Sequence, residues 1–61
     1  MPYYTIEAVA YDKDGRRLNG NTHKVEASNQ RDALEMAKQR QRTNIATAKV
    51  EVRVIRVSET I

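Results

Sequence analysis

Cysteine, phenylalanine and tryptophan are absent from this sequence, and its 61 residues include only two glycines and one proline. Without cysteine, neither a disulfide nor a thiolate metal site can form, and the chain suits a reducing compartment. No apolar run approaches the roughly 20 residues that a membrane-spanning helix needs. Residues 1–10 carry no basic segment ahead of an apolar one, so we expect no signal peptide. These absences predict a cytoplasmic protein without membrane contact.

The length suits one domain, which we place over residues 1–61, with 58–61 as a frayed tail. Domains of this size bury only about 60% of the surface that the unfolded chain exposes. They usually need a disulfide, a metal or a partner chain for additional stability. His23 is the only histidine and no cluster of carboxylates accompanies it, so we expect no metal and no other cofactor. Self-association is the remaining source of support.

A β-hairpin is predicted at the start of the chain. Residues 3–11 are rich in β-branched and aromatic residues and contain no glycine or proline, which is typical of a strand. Asp12-Lys13-Asp14-Gly15 predicts a turn, because aspartate and glycine favour turn conformations. A polar connection with a second turn signal at Asn19-Gly20 follows, and residues 22–27 form a short second strand.

One amphipathic helix is predicted after the hairpin. Ser28 or Asn29 caps it, Asp32 suits its first turn, and it runs to about Arg42. Its apolar side chains recur at helical spacing on one side: Ala33, Leu34, Met36 and Ala37. The polar connection that follows carries Ile45, which we expect to anchor it.

Residues 48–57 form the longest predicted strand, because apolar and charged residues alternate there with a period of two. The alternation breaks after Val54. Ile55 and Val57 then fall on the opposite face, and Arg56 falls on the apolar face. Two interpretations remain open: a β-bulge restores the pattern, or the outer sheet face is itself apolar at this end.

These elements predict a single small α+β domain of the order β-β-α-β. A right-handed crossover places the last strand beside the first. The result is a three-stranded antiparallel sheet of strand order 2-1-3 with one helix packed on one face. The residues expected to be most buried are those where the strand and helix patterns converge: Ile6, Ala8, Leu34, Ala37, Val50 and Val52.

Two surfaces of this fold stay uncovered, namely the open sheet face and the free edge of the last strand. A long edge strand is a template for pairing with another chain. We therefore expect a homodimer that forms through the last strand or through the open face, and a further, unidentified protein partner. The residues assigned to this interface are Tyr3, Val9, Tyr11, Arg53, Ile55 and Val57.

A basic stretch suggests an alternative partner. Residues 36–50 contain cations separated by amide and hydroxyl side chains, and no acid. Such groups suit phosphate oxygens, so the alternative is binding to an RNA or DNA backbone. A solvated helix end explains the same charges, because the helix dipole favours cations there and a net charge of +3 is a weak footprint. The candidate contacts are Arg16, Arg17, Lys38, Arg40, Arg42 and Lys49.

No pattern indicates catalysis. His23 has no serine, cysteine or carboxylate partner at a recognised spacing, and no glycine-rich phosphate loop occurs. Residues 12–15 look like the start of a calcium loop, but the twelfth position from Asp12 is His23 where an EF-hand has glutamate. We therefore expect a non-catalytic interaction module that binds a larger protein or assembly.

The middle of the chain resembles two known families. Val25-Glu26-Ala27-Ser28 ends a strand, Asp32-Ala33-Leu34-Glu35-Met36-Ala37 follows in a capped helix, and a valine-rich strand comes next. This resembles the antitoxin family with a partial RNase H-like fold and, in its order of elements, the small archaeal ribosomal protein of the LX type. The resemblance covers less than half of the chain and implies no site residue.

Overall fold

The computed structural model describes residues 1–59, which form three strands and one helix. The elements are β1 (Tyr3–Tyr11), β2 (Arg17–Glu26), α1 (Gln30–Arg40) and β3 (Lys49–Ser58). β1 lies in the centre of an antiparallel sheet of order β2-β1-β3, and α1 packs on one face. The predicted α+β class, strand order and helix position are confirmed. No helix within residues 1–59 is long and apolar enough to cross a membrane.

The hairpin turn forms where the sequence predicts it. The Asp12 carboxylate accepts two backbone N–H groups of the turn, at 2.8 and 2.9 Å, and Gly15 adopts a φ of 81°. A positive φ favours glycine, which has no Cβ to clash with the backbone. β2 begins at Arg17 rather than at Thr22, so Asn19-Gly20 belongs to the strand and the predicted second turn is wrong.

Asn29 is the residue that caps α1. Its side-chain oxygen accepts the backbone N–H of Asp32 at 2.9 Å, which satisfies one of the free donors at the start of the helix. The helix ends at Arg40, two residues before the predicted end at Arg42. Gln41 caps this end, and its backbone N–H donates to the carbonyl of Ala37 at 3.1 Å.

The core lies where α1 packs against β1 and β2. Ile6, Ala8 and Ala37 are fully buried as predicted, whereas Leu34 and the predicted valines of β3 are only half-buried. Alanines on β1 and α1 let the two backbones approach closely, while β3 lies partly beyond the cover of the helix. The buried apolar residues are Tyr4, Ile6, Ala8, Ala10, Val25, Ala27, Ala33 and Ala37.

A β-bulge interrupts β3. Three successive pairs between β1 and β3 define it: Ile6–Val54, Thr5–Arg56 and Tyr4–Val57. Ile55 is the extra residue, so the first of the two sequence interpretations is confirmed. Because side chains of directly paired residues share a face, Val57 lies on the helix face and Arg56 on the open face. The prediction that Val57 lies on the open face is wrong.

β3 ends one residue later than predicted. Ser58 pairs with Tyr3 and belongs to the sheet rather than to the predicted tail. Thr60 and Ile61, the end of that tail, lie outside the described residues.

Candidate interaction surfaces

The outer edge of β3 combines available backbone with apolar side chains. β3 pairs with β1 on one side, and no strand within residues 1–59 pairs with its other side. On the helix face of β3, Val50, Val52 and Val54 are half-buried, and Val57 is 49% exposed. We call this edge, from Lys49 to Val57, the β3 edge.

A groove runs between the helix and the β3 edge. Leu34 and Val52 are its apolar lining residues, which explains why both are less buried than predicted. Polar and charged side chains line the rest: Gln30, Arg31, Glu35 and Lys38. The groove makes the helix face of β3 accessible from the side.

The other edge of the sheet is polar. β2 places Asn19, Asn21 and His23 on its helix face, opposite Ala10, Ala8 and Ile6 of β1. Burying amide and imidazole groups against another chain costs free energy unless they form hydrogen bonds there. The two edges therefore differ in kind, and only the β3 edge presents a run of apolar side chains.

Gln41 organises the polar side of the core. It is only 4% exposed, its Oε1 lies 2.8 Å from Nε2 of His23, and its Nε2 donates to Oδ1 of Asn19 at 2.5 Å. The sequence interpretation missed this cluster because it assigned Gln41 to the basic stretch. The alternation Asn19, Asn21, His23 on the face of Val25 was the signal that could have revealed it.

The open face carries paired charges. Arg53 Nη2 lies 3.2 Å from Glu7 Oε1, and Lys49 Nζ lies 3.1 Å from Glu51 Oε2 and 5.7 Å from the centre of the Tyr11 ring. These groups are largely solvent-exposed, so each pair contributes little to stability. The two ion pairs nevertheless place charges of opposite sign next to each other on this face.

Tyr3 lies at the end of the same face, directly opposite Glu26 of β2. The Glu26 carboxylate raises the pKa of Tyr3 above its ordinary value of 10.0, because it repels the phenolate; slight desolvation and a hydrogen bond to Glu26 act in the same direction.

Four of the predicted interface residues share this open face: Tyr3, Val9, Tyr11 and Arg53. Ile55, at the bulge, is 52% exposed.

The predicted basic residues lie in several elements of the fold. Lys38 and Lys49 line a shallow depression whose other polar lining residues are Thr43, Asn44 and Thr47. Arg40 and Arg42 are exposed outside that lining, and Arg16 lies in the hairpin turn. Arg17 pairs with Tyr11 on the open face.

The loop between α1 and β3 is held by polar hydrogen bonds rather than by Ile45. Ile45 is fully exposed, so the prediction that it anchors the loop is wrong. Instead, the side chain of Asn44 accepts the N–H of Ala46 at 2.8 Å, and the N–H of Ala48 donates to the carbonyl of Tyr11 at 2.8 Å. Local polar bonds of this kind define a tight loop without apolar burial.

No protein-family model, curated protein or solved structure matches the chain.

Proposed function

We propose that the protein is a small non-catalytic interaction module that forms a homodimer through the β3 edge and, as a dimer, binds a larger protein or assembly. A cytoplasmic location, which the absence of cysteine favours, is part of the same proposal.

One observation carries the proposal: the β3 edge offers unpaired backbone beside half-exposed valines. A second β3 strand would satisfy the backbone groups along this edge. It would also place a second set of valines next to Val50, Val52 and Val54, which α1 covers only in part. Burial of apolar surface is the main favourable term in such association.

A second copy of the chain is the partner that this edge suits best. The single domain is at the small end of what one core stabilises. Within residues 1–59, its largest fully buried side chains are those of Ile6 and Val25. Antiparallel pairing of two β3 strands around a two-fold axis would give a continuous six-stranded sheet. Both helices would then lie on the same face of that sheet.

The engagement of His23 supports a non-catalytic role. This histidine is the residue that sequence-based reasoning would first consider as a general base. Its Nε2 contacts the amide oxygen of Gln41, which holds the ring within a structural cluster rather than next to a nucleophile.

Sedimentation equilibrium from about 1 μM to 1 mM tests the homodimer. We expect a species of twice the 7.0 kDa chain mass. Ile55→Lys should weaken association, because Ile55 is exposed at the edge. Leu18→Lys makes the same change at an exposed apolar residue of β2, the opposite edge of the sheet, and should leave association unchanged. A single species of 7.0 kDa at all concentrations would overturn the proposal.

A nucleic-acid backbone is the second candidate partner, and the depression lined by Lys38 and Lys49 favours it. The threonine and asparagine side chains around it could donate hydrogen bonds to phosphate oxygens. Titration with RNA and DNA at low salt tests this candidate, because electrostatic affinity is strongest there.

Two variants locate the contacts if binding occurs. Lys38→Gln removes a cation of the depression, whereas the double variant Arg40→Gln/Arg42→Gln changes cations outside it. Loss of one phosphate contact should reduce the slope of log affinity against log salt by about 0.9 for duplex DNA. Absence of binding at low salt rejects this candidate.

A further inference from the structure

We infer that the two-fold axis of the dimer passes beside Val52, so that Glu51 of each chain lies opposite Arg53 of the other. This inference rests on the proposed homodimer and specifies its register. It follows from the order of charges along β3, where Lys49, Glu51 and Arg53 occupy successive positions on the open face.

Charges on an edge strand usually discourage pairing, but these alternate in sign. With the axis beside Val52, the open face pairs Glu51 with Arg53 twice, and the helix face pairs Val50 with Val54 twice. An axis beside Glu51 or Arg53 instead brings that residue against its own copy. Like charges directly opposite each other are destabilising in a sheet.

One other register also joins opposite charges, with the axis beside Val50 and Lys49 opposite Glu51. That register is short, because β3 begins at Lys49 and only residues 49–51 would pair. The register beside Val52 uses the whole regular part of the strand before the bulge at Ile55. It therefore gives more backbone hydrogen bonds and more valine contact.

The charges within each chain extend this pattern. Arg53 already contacts Glu7 at 3.2 Å, and Glu51 contacts Lys49 at 3.1 Å. In the proposed register, Arg53 lies between Glu7 and the second copy's Glu51, so that signs alternate across the joined sheets. The Glu51 and Arg53 side chains are 55% and 74% exposed, which leaves both accessible to a second copy. Such charges select a register more than they add affinity.

A charge-swap mixture tests the register. Glu51→Arg alone places two cations opposite each other at both positions, and Arg53→Glu alone places two carboxylates there. For each variant alone, the dissociation constant of the dimer should be at least about tenfold higher than for the native chain. An equimolar mixture of the two should form a heterodimer of restored affinity, because every cation then faces a carboxylate. Native mass spectrometry distinguishes the heterodimer by its mass.

Two controls keep the result interpretable. Arg53→Glu places a second carboxylate beside Glu7, so it is made together with Glu7→Gln, and Glu7→Gln alone is measured as the reference. Glu26→Arg makes the same charge change as Glu51→Arg on the open face of β2, far from the proposed axis. It should neither weaken self-association nor rescue the Arg53→Glu variant.

The outcomes separate the two proposals. If the native chain dimerises but the single variants associate normally, or their mixture gives no preferred heterodimer, the register is overturned and the homodimer stands. If the native chain stays monomeric at every concentration, the proposed homodimer fails and the register fails with it.

Discussion

The amide oxygen of Gln41 lies 2.8 Å from Nε2 of His23, which ties the end of α1 to the second strand of the hairpin. The same amide donates to Asn19 through its nitrogen. Among residues 1–59, no buried side-chain nitrogen or oxygen lacks a hydrogen-bond partner. One buried glutamine therefore bonds two of the polar side chains on the helix face of β2, those of Asn19 and His23.

Replacing Gln41 should destabilise the fold, because this one side chain bonds two others. Gln41→Met keeps the length of the side chain but removes both hydrogen bonds, so Asn19 and His23 lose their partner. We expect a loss of about 1–3 kcal/mol in the free energy of unfolding, measured by urea denaturation at fixed protein concentration. Gln39→Met, on the exposed side of α1, should change stability by less than about 0.5 kcal/mol. Equal stability of the two variants would show that the bridge is dispensable.

The largest apolar contribution to stability should come from Ile6 rather than from Leu34. Ile6 is fully buried on the central strand, whereas Leu34 lines the groove and is half-buried. Ile6→Ala should therefore cost about 2–5 kcal/mol and Leu34→Ala clearly less. At about 0.05–0.15 kcal/mol of stability per residue, Ile6→Ala would remove much of the total.

Urea denaturation compares the two positions. If Ile6→Ala does not fold, Ile6→Val, with an expected cost of about 0.5–1.5 kcal/mol, keeps the central position measurable. A larger loss for Leu34→Ala than for Ile6→Ala would contradict the packing described here.

The regular elements were predictable from sequence because their periods are clear. β1, α1 and most of β3 follow their apolar patterns. The right-handed crossover rule then led from these elements to the strand order and to the uncovered β3 edge. The start of β2 was not predictable in this way. Asn19-Gly20 is a strong turn signal, but pairing with β1 overrides it, since tertiary context outweighs local propensity.

The features that the sequence did not predict depend on three-dimensional packing. Gln41 reads as one more polar residue among cations, and its burial follows from helix α1 ending over Asn19 and His23. Ile45 reads as a core residue, yet the loop places it in solvent. The break at Ile55 was visible, but the sequence alone left two explanations open, and the pairing of Val57 with Tyr4 decides between them.

The pKa of Tyr3 should respond to Glu26. Glu26→Gln removes the carboxylate that opposes the phenolate, so the raised pKa of Tyr3 should fall toward 10.0. As pH rises through 10.0 and up to the raised pKa, the unfolded chain releases this proton before the folded chain does, so folding stability decreases. That decrease should be smaller in the variant.

An NMR titration that follows the ring signals of Tyr3 measures this change directly. Glu7→Gln removes a different carboxylate of the open face. Glu7 lies opposite Thr22 of β2, whereas Tyr3 lies opposite Glu26, so this variant should leave the pKa of Tyr3 unchanged. An unaltered Tyr3 pKa in Glu26→Gln would reject the assignment of the shift to Glu26.

Deleting Ile55 should preserve the pairing of β1 with β3. Ile55 has no partner in β1, so its removal converts the bulge into a regular ladder while Arg56 stays opposite Thr5 and Val57 opposite Tyr4. Deleting Glu51 is the matched control. It shifts one half of the strand by one residue, which moves that half's side chains to the wrong face.

We therefore expect the Ile55 deletion to fold and the Glu51 deletion to lose much more stability, both measured by urea denaturation. Nuclear Overhauser contacts between Thr5 and Arg56 should persist in the Ile55 deletion. The Ile55 deletion could instead destabilise the protein as much as the Glu51 deletion does. In that case the register of β3 after Val54 depends on Ile55, and Ile55 is not simply an extra residue in a bulge.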